Sequence, residues 1–184
     1  DWHRGNFLVA VQQLIDDGMR VGIEYDEVSI ELRKQLEGAF PTSRFVDIAR
    51  PAMRIRMIKS NEEIEQIRES ARIANVGGRA CVEAIGVGVA EHEVALHSTQ
   101  AMVREIARTF PHGELMDTWT WLQSGINTDG AHNPVTAREI RHGDILSINC
   151  FPMPAGYYTA LERTAFAGAC DEVSERMWRV NTEV

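Results

Sequence analysis

From Ser60 the chain reads SNEEIEQIRESARIANVGGRACVEAI, and this run restricts the possible folds more than any other stretch. Ser60 with Glu63 three residues later has the form of a capping box, in which each side chain satisfies a backbone N–H that a first helical turn leaves free. Ile64, Ile67, Ala71 and Ala74 then mark one stripe at helical spacing, and the spacing predicts that the helix continues through Ala80 and Val82 to about Ile85. The Gly77-Gly78 pair inside it suits close helix packing or a kink. Gly86-Val87-Gly88 reads as a turn, and a second helix is expected over roughly 91–109. Two long amphipathic helices need an apolar surface to cover. Beyond Pro111 the segments LMDTWTWLQSG, GDILSINCF and AGYYTALERTAFAG supply one, because they alternate in the manner of strands between Gly, Pro and Asn-Thr-Asp-Gly turns. The expected class is α+β, an antiparallel sheet covered on one side by the two helices.

Upstream the rhythm differs. Phe7, Leu8, Val11, Leu14 and Ile15 share a helical face within 6–17, and Gly18 stands where that helix would stop. The segments 20–25 (RVGIEY) and 44–48 (RFVDI) read as strands around a Ser29-led helix containing Leu32, Leu36 and Ala39, the α/β rhythm of a parallel sheet. Residues 51–59, PAMRIRMIK, alternate basic with apolar and read as extended. A boundary is placed near residue 58, so that 1–58 is the C-terminal part of an α/β domain and 59–184 a second domain. DEVSERMWRVNTEV reads as a helix without a stop signal, and the chain opens on Asp1; the expectation is a piece of a longer protein.

The acidic excess, 27 Asp and Glu against 19 Lys and Arg, gives a net charge of −8 and opposes nucleic acid or anionic membrane as partners. Cys81, Cys150 and Cys170 are odd in number with no C-x-x-C spacing, which argues against a disulfide framework or zinc site and fits a reducing, cytoplasmic setting.

His132 lies in SGINTDGAHNPV, a loop between two strands, where an imidazole near neutrality can take a proton from water and return it to a leaving nitrogen. The alternative is a turn histidine bonded to backbone. Strand alternation would place Tyr158, Ala160, Glu162 and Thr164 on one face; if that face is a pocket wall, Glu162 is a buried carboxylate beside a tyrosine hydroxyl and needs a cationic partner. That partner is either a substrate or an internal arginine such as Arg163. His92, His97, His112 and His142 suit surface or capping roles, and His3 a ragged end. Trp119 and Trp121 share a strand face and read as core, and Cys150 as a small buried hydrophobe.

The capped helix KSNEEIEQIRESARIA, the loop histidine, GDILSIN and GYYTALERTAF together resemble the pita-bread family that includes methionine aminopeptidase, aminopeptidase P, prolidase and creatinase. In its metallopeptidases two metal-binding aspartates stand eleven residues apart, the second in a G-Y-x-S-D-x-x-R-T run; the matching positions here are Asn149 and Ala160. A methyl group cannot ligate a cation, and a neutral amide is a poor substitute for charge at a paired-metal site. The longer strings MDTWTWLQSGINTDGAHNPVT and GYYTALERT, with RMIKS and ELMDTWTW, resemble the creatinase branch, which works without metal. The resemblance implies the first half of a pita-bread domain after the end of an α/β domain, and no cofactor. It implies hydrolysis of the guanidino compound creatine to sarcosine and urea by a cytoplasmic homodimer, with His132 as acid and base and Tyr158 and Glu162 in the pocket. A metal-free scaffold module and a metal-dependent dipeptidase with unusual ligands are the rival expectations. The rest of the pocket in this branch comes from C-terminal segments and a neighbouring subunit, so the 184 residues alone are expected to be inactive.

Overall fold

A computed structural model describes residues 5–113, 115 and 117–183, and the chain divides at Ser60 into two units. His3 lies outside the described residues. The first unit opens with α1 (Gly5–Leu14), β1 (Arg20–Ile23), α2 (Ile30–Ala39) and β2 (Arg44–Asp47). β1 and β2 pair in parallel, Val21 opposite Phe45, as the α/β rhythm requires. Ser29 caps α2, its hydroxyl accepting from Leu32 N at 3.1 Å. Gly18 adopts φ 87° in the turn after α1, held there by the Asp17 carboxylate, which accepts from the Gly18 and Thr42 amides.

Residues 51–59 are not extended. Ala49–Met57 form a helix, α3, with Pro51 in its first turn, where the missing N–H costs nothing. Arg54 and Arg56 in the last turn complement the helix dipole. The period-two alternation misled because no residue of α3 is buried, so neither face has a core to obey.

The second unit contains α4 (Asn61–Ala84), α5 (Glu91–Thr109), β3 (Trp119–Ser124), β4 (Ile145–Phe151), β5 (Leu161–Phe166) and α6 (Glu172–Glu183). The three strands form an antiparallel sheet in the order β3-β4-β5, and α4 and α5 pack on one of its faces. Between them lies a core of Ile73, Val94, Met102, Ile106, Leu122, Leu146 and Ile148. The buried stripe of α4 runs through Ser70, Ile73, Ala74, Gly77 and Cys81; Ile64 and Ala71, expected on it, are exposed. Small residues win that face because the helices approach too closely for larger ones. A Cβ on Gly77 would lie 2.6 Å from Met102 Sδ, and one on Gly78 2.9 Å from Leu161 Cδ2. The polar members of the interface are satisfied: Ser98 Oγ donates to the Gly77 carbonyl at 2.9 Å, and Ser70 Oγ to that of Pro152 at 3.1 Å.

Candidate active site

Alternation along β3 and β4 sends Thr120, Leu122 and Cys150 toward the helices and Trp119, Trp121 and Asn149 to the opposite face. Cross-strand register then aligns Trp121, Asn149 and Glu162 in one row, with Gln123, Ser147 and Thr164 in a row beside it. The tryptophans are therefore not core. They form an aromatic floor with Phe151, ring centroids 4.5 Å apart within the pair and 4.3 Å from Trp119 to Phe151.

His132 returns over this floor. Its ring stands 4.6 Å from that of Trp121 and 6.3 Å from that of Phe151. Its Nε2 lies 4.0 Å from Glu162 Oε1, too far for a hydrogen bond but close enough for charge to be felt. Sequence reasoning thus put forward two residues that the fold brings together from segments thirty positions apart.

Other expectations require correction. Glu162 is not buried: its side chain is 61% exposed and that of His132 53%. β5 begins at Leu161, so Tyr158 and Ala160 precede the strand and do not share a regular face with Glu162. The connection from β4 instead makes a short 3-10 turn at Pro154–Gly156, with Ala155 at φ 52°, and a bond from Thr159 N to the Pro152 carbonyl. Tyr158 is 49% exposed, whereas the neighbouring Tyr157 hydroxyl donates to Glu63 Oε1 at 2.6 Å and fastens the turn to α4. Nor does Arg163 pair with the Glu162 carboxylate; its Nη1 donates to the Glu162 main-chain carbonyl at 2.7 Å. Cys150 is a buried thiol near Ser98 and Thr120, its pKa pushed up by burial.

Asn149 is almost fully buried and its Nδ2 donates to Ser147 Oγ at 3.0 Å, so the amide oxygen is its remaining metal-binding atom. With a methyl group at residue 160 and no group of three His, Cys, Asp or Glu side chains placed to hold an ion among the described residues, the donors of this chain do not fit a pair of divalent cations. A cleft of about 350 Å³ lined by Asn75, Arg79, Leu161 and Arg163 lies against α4 and β5, away from His132.

Residues 65–184 match the sequence pattern of Metallopeptidase family M24. The chain belongs to that family. As an M24 chain it is 56% identical to creatinase from Bacillus sp. strain B-0618 over 191 aligned positions, covering all of this chain and 46% of that protein. It superposes on X-Pro aminopeptidase from Thermotoga maritima MSB8 with a TM-score of 0.80 at 21% identity, covering 97% of this chain and 48% of the other. For prolidase from Pyrococcus furiosus the values are 0.79 and 23%, covering 95% and 49%. These structures establish the pita-bread fold. The chain spans about half the length of the curated relatives it matches.

Two contributors escaped sequence reasoning. Its place in a strand reads Trp121 as core, because period-two alternation cannot say which face the helices cover. Glu91 received no role; an acidic residue at a helix start signals dipole complementation, and burial at that position leaves no mark in the sequence.

Proposed function

We propose that the protein hydrolyses a guanidino compound, creatine foremost, with His132 as the proton carrier. The observation that carries this reading is the pairing of His132 with Glu162 above Trp121, in a chain whose Asn149 and Ala160 are unsuited to the metal pair. The 56% identity to creatinase supports the choice of substrate. Creatine brings a planar cation, and the exposed Glu162 carboxylate can accept its N–H donors in charge-assisted hydrogen bonds. Tyr158, free of the strand, contributes a further contact. His132 Nε2 takes a proton from water as the oxygen bonds to the guanidinium carbon. The bond from that carbon to the methylated nitrogen then breaks, and the imidazole returns its proton to that nitrogen, releasing sarcosine and urea. The same reading makes the active protein a homodimer in the cytoplasm, a reducing compartment to which its free cysteines are suited.

The test is urea release from creatine by the complete protein, with and without a chelator, beside His132→Ala. Activity should survive the chelator and fall by a factor on the order of 10³ or more in the variant. Family membership favours one rival, a metal-dependent dipeptidase: chelator-sensitive cleavage of an Xaa-Pro dipeptide, without urea release, would establish it instead.

A further inference from the structure

Glu91, the first residue of α5, is fully buried, and the chemistry proposed above makes no use of it. Its Oε1 accepts from Ser124 N at 2.7 Å, Ser124 Oγ at 2.7 Å and Asn127 Nδ2 at 3.0 Å. Its Oε2 accepts from Thr136 N at 3.0 Å, Thr136 Oγ1 at 2.6 Å and the same Asn127 amide at 3.1 Å. These donors stand at both ends of one segment, 124–136, and that segment carries His132. From β3, Gln123 Nε2 donates to the Asn133 carbonyl at 2.7 Å, and within the segment Asn133 Nδ2 donates to Asp129 Oδ1 at 2.6 Å. Outside it Arg138 Nη1 reaches Ser124 Oγ at 2.6 Å while the same guanidinium grips Asp144.

We propose that Glu91 is the positioning residue for His132, clamping both ends of the 124–136 loop and so setting the imidazole over Trp121 and within reach of Glu162. The clamp works because a carboxylate is acceptor-only and every group facing it is a donor. Burial alone would push the Glu91 carboxyl up, but the bonds from Thr136, Ser124 and Asn127 outweigh it and hold the group below its ordinary value. The clamp therefore stays charged at neutral pH. Glutamine in its place keeps the shape but turns an N–H₂ toward hydroxyl and amide donors, forcing one end of the loop to let go.

The catalytic half of this inference rests on His132 being the proton carrier; the structural half does not. Glu91→Gln and the milder Thr136→Val are made in the complete protein, and two quantities are followed: creatine kinetics, and the NMR signal of the His132 ring proton, displaced by the ring current of Trp121. Expected for Glu91→Gln is a fall in kcat of about 10–100-fold with KM within about twofold, as befits a misplaced catalytic group. The His132 signal should move toward the position of a free histidine. Thr136→Val should follow in the same direction with a fall of about 3–10-fold. A merely structural role would reduce the amount of folded enzyme without moving that signal. Folded Glu91→Gln with the His132 signal and kcat unchanged overturns the proposal, and should that variant fail to fold, the same result in Thr136→Val does so. If His132→Ala keeps full activity, the functional reading fails, and the resonance still decides whether Glu91 places the ring.

Discussion

Glu105 shows how single charges act in this chain. Its Oε1 accepts from Arg72 Nη1 at 2.5 Å and Arg108 Nη2 at 2.6 Å, and Arg72 also reaches Thr109 Oγ1 at 3.0 Å, so one carboxylate ties α4 to the end of α5. Arg108 first and Arg72 second hold the Glu105 carboxyl at about 2, against an ordinary 4.5. The folded value is depressed, so this contribution to stability is complete above pH 4.5 and is lost as pH falls from there through about 2. Glu105→Gln should lower stability near pH 7 by on the order of 1 kcal/mol, since Arg108 is largely solvated, and should flatten the acid limb. Denaturant midpoints between pH 7 and pH 2 check this; parallel curves for the two proteins would rule it out. Residues of this kind also show what a sequence displays. His132 and Glu162 could be named in advance because loop and family context isolate them. Glu91 and Glu105 look like ordinary surface acids until the fold surrounds them with donors.

At the scale of elements, the helices and strands of the second unit were largely legible. Their periodicities are long and the Ser60 and Gly86 signals sit at their ends, so α4 and α5 appear within a residue or two of expectation. What failed was facing. The small-residue face of α4 carries few large apolar side chains, so apolar spacing points to Ile64 and Ala71 as well as Ala74 and passes over Gly77 and Cys81. Gly77→Ala tests that closeness. Helix propensity favours alanine by about 1 kcal/mol, whereas overpacking costs about 1–3 kcal/mol. Met102 is fully buried and its Cγ as well as its sulfur is in the way, so the second effect should win. A net loss of up to about 2 kcal/mol by chemical denaturation is expected, and a stabilising result would mean the helices have room to part. The connection from β4 to β5 was illegible for another reason: its pairings with α4, Tyr157 with Glu63 and Thr159 with Ser70, are tertiary and leave no periodic trace.

For the whole molecule, His132 and Glu162 stand more than half-exposed on the sheet face away from the helices, and Tyr158, in the connection before β5, is 49% exposed. An exposed carboxylate in high dielectric holds a guanidinium weakly, so this half of the fold cannot by itself exclude water from the reacting carbon. On the proposed reading the 184 residues expressed alone should release no urea from creatine; turnover by them would show that a further half of the pocket is dispensable. Acid quenching with colorimetric urea detection distinguishes the outcomes. Among the described residues β5 ends the sheet, pairing with β4 along one side. Its other side bears a row of main-chain donors and acceptors ready to recruit any extended segment. The 184 residues should accordingly gain intermolecular β-structure as their concentration rises, which the amide infrared band would register, and any segment that shields this border would also guard against aggregation.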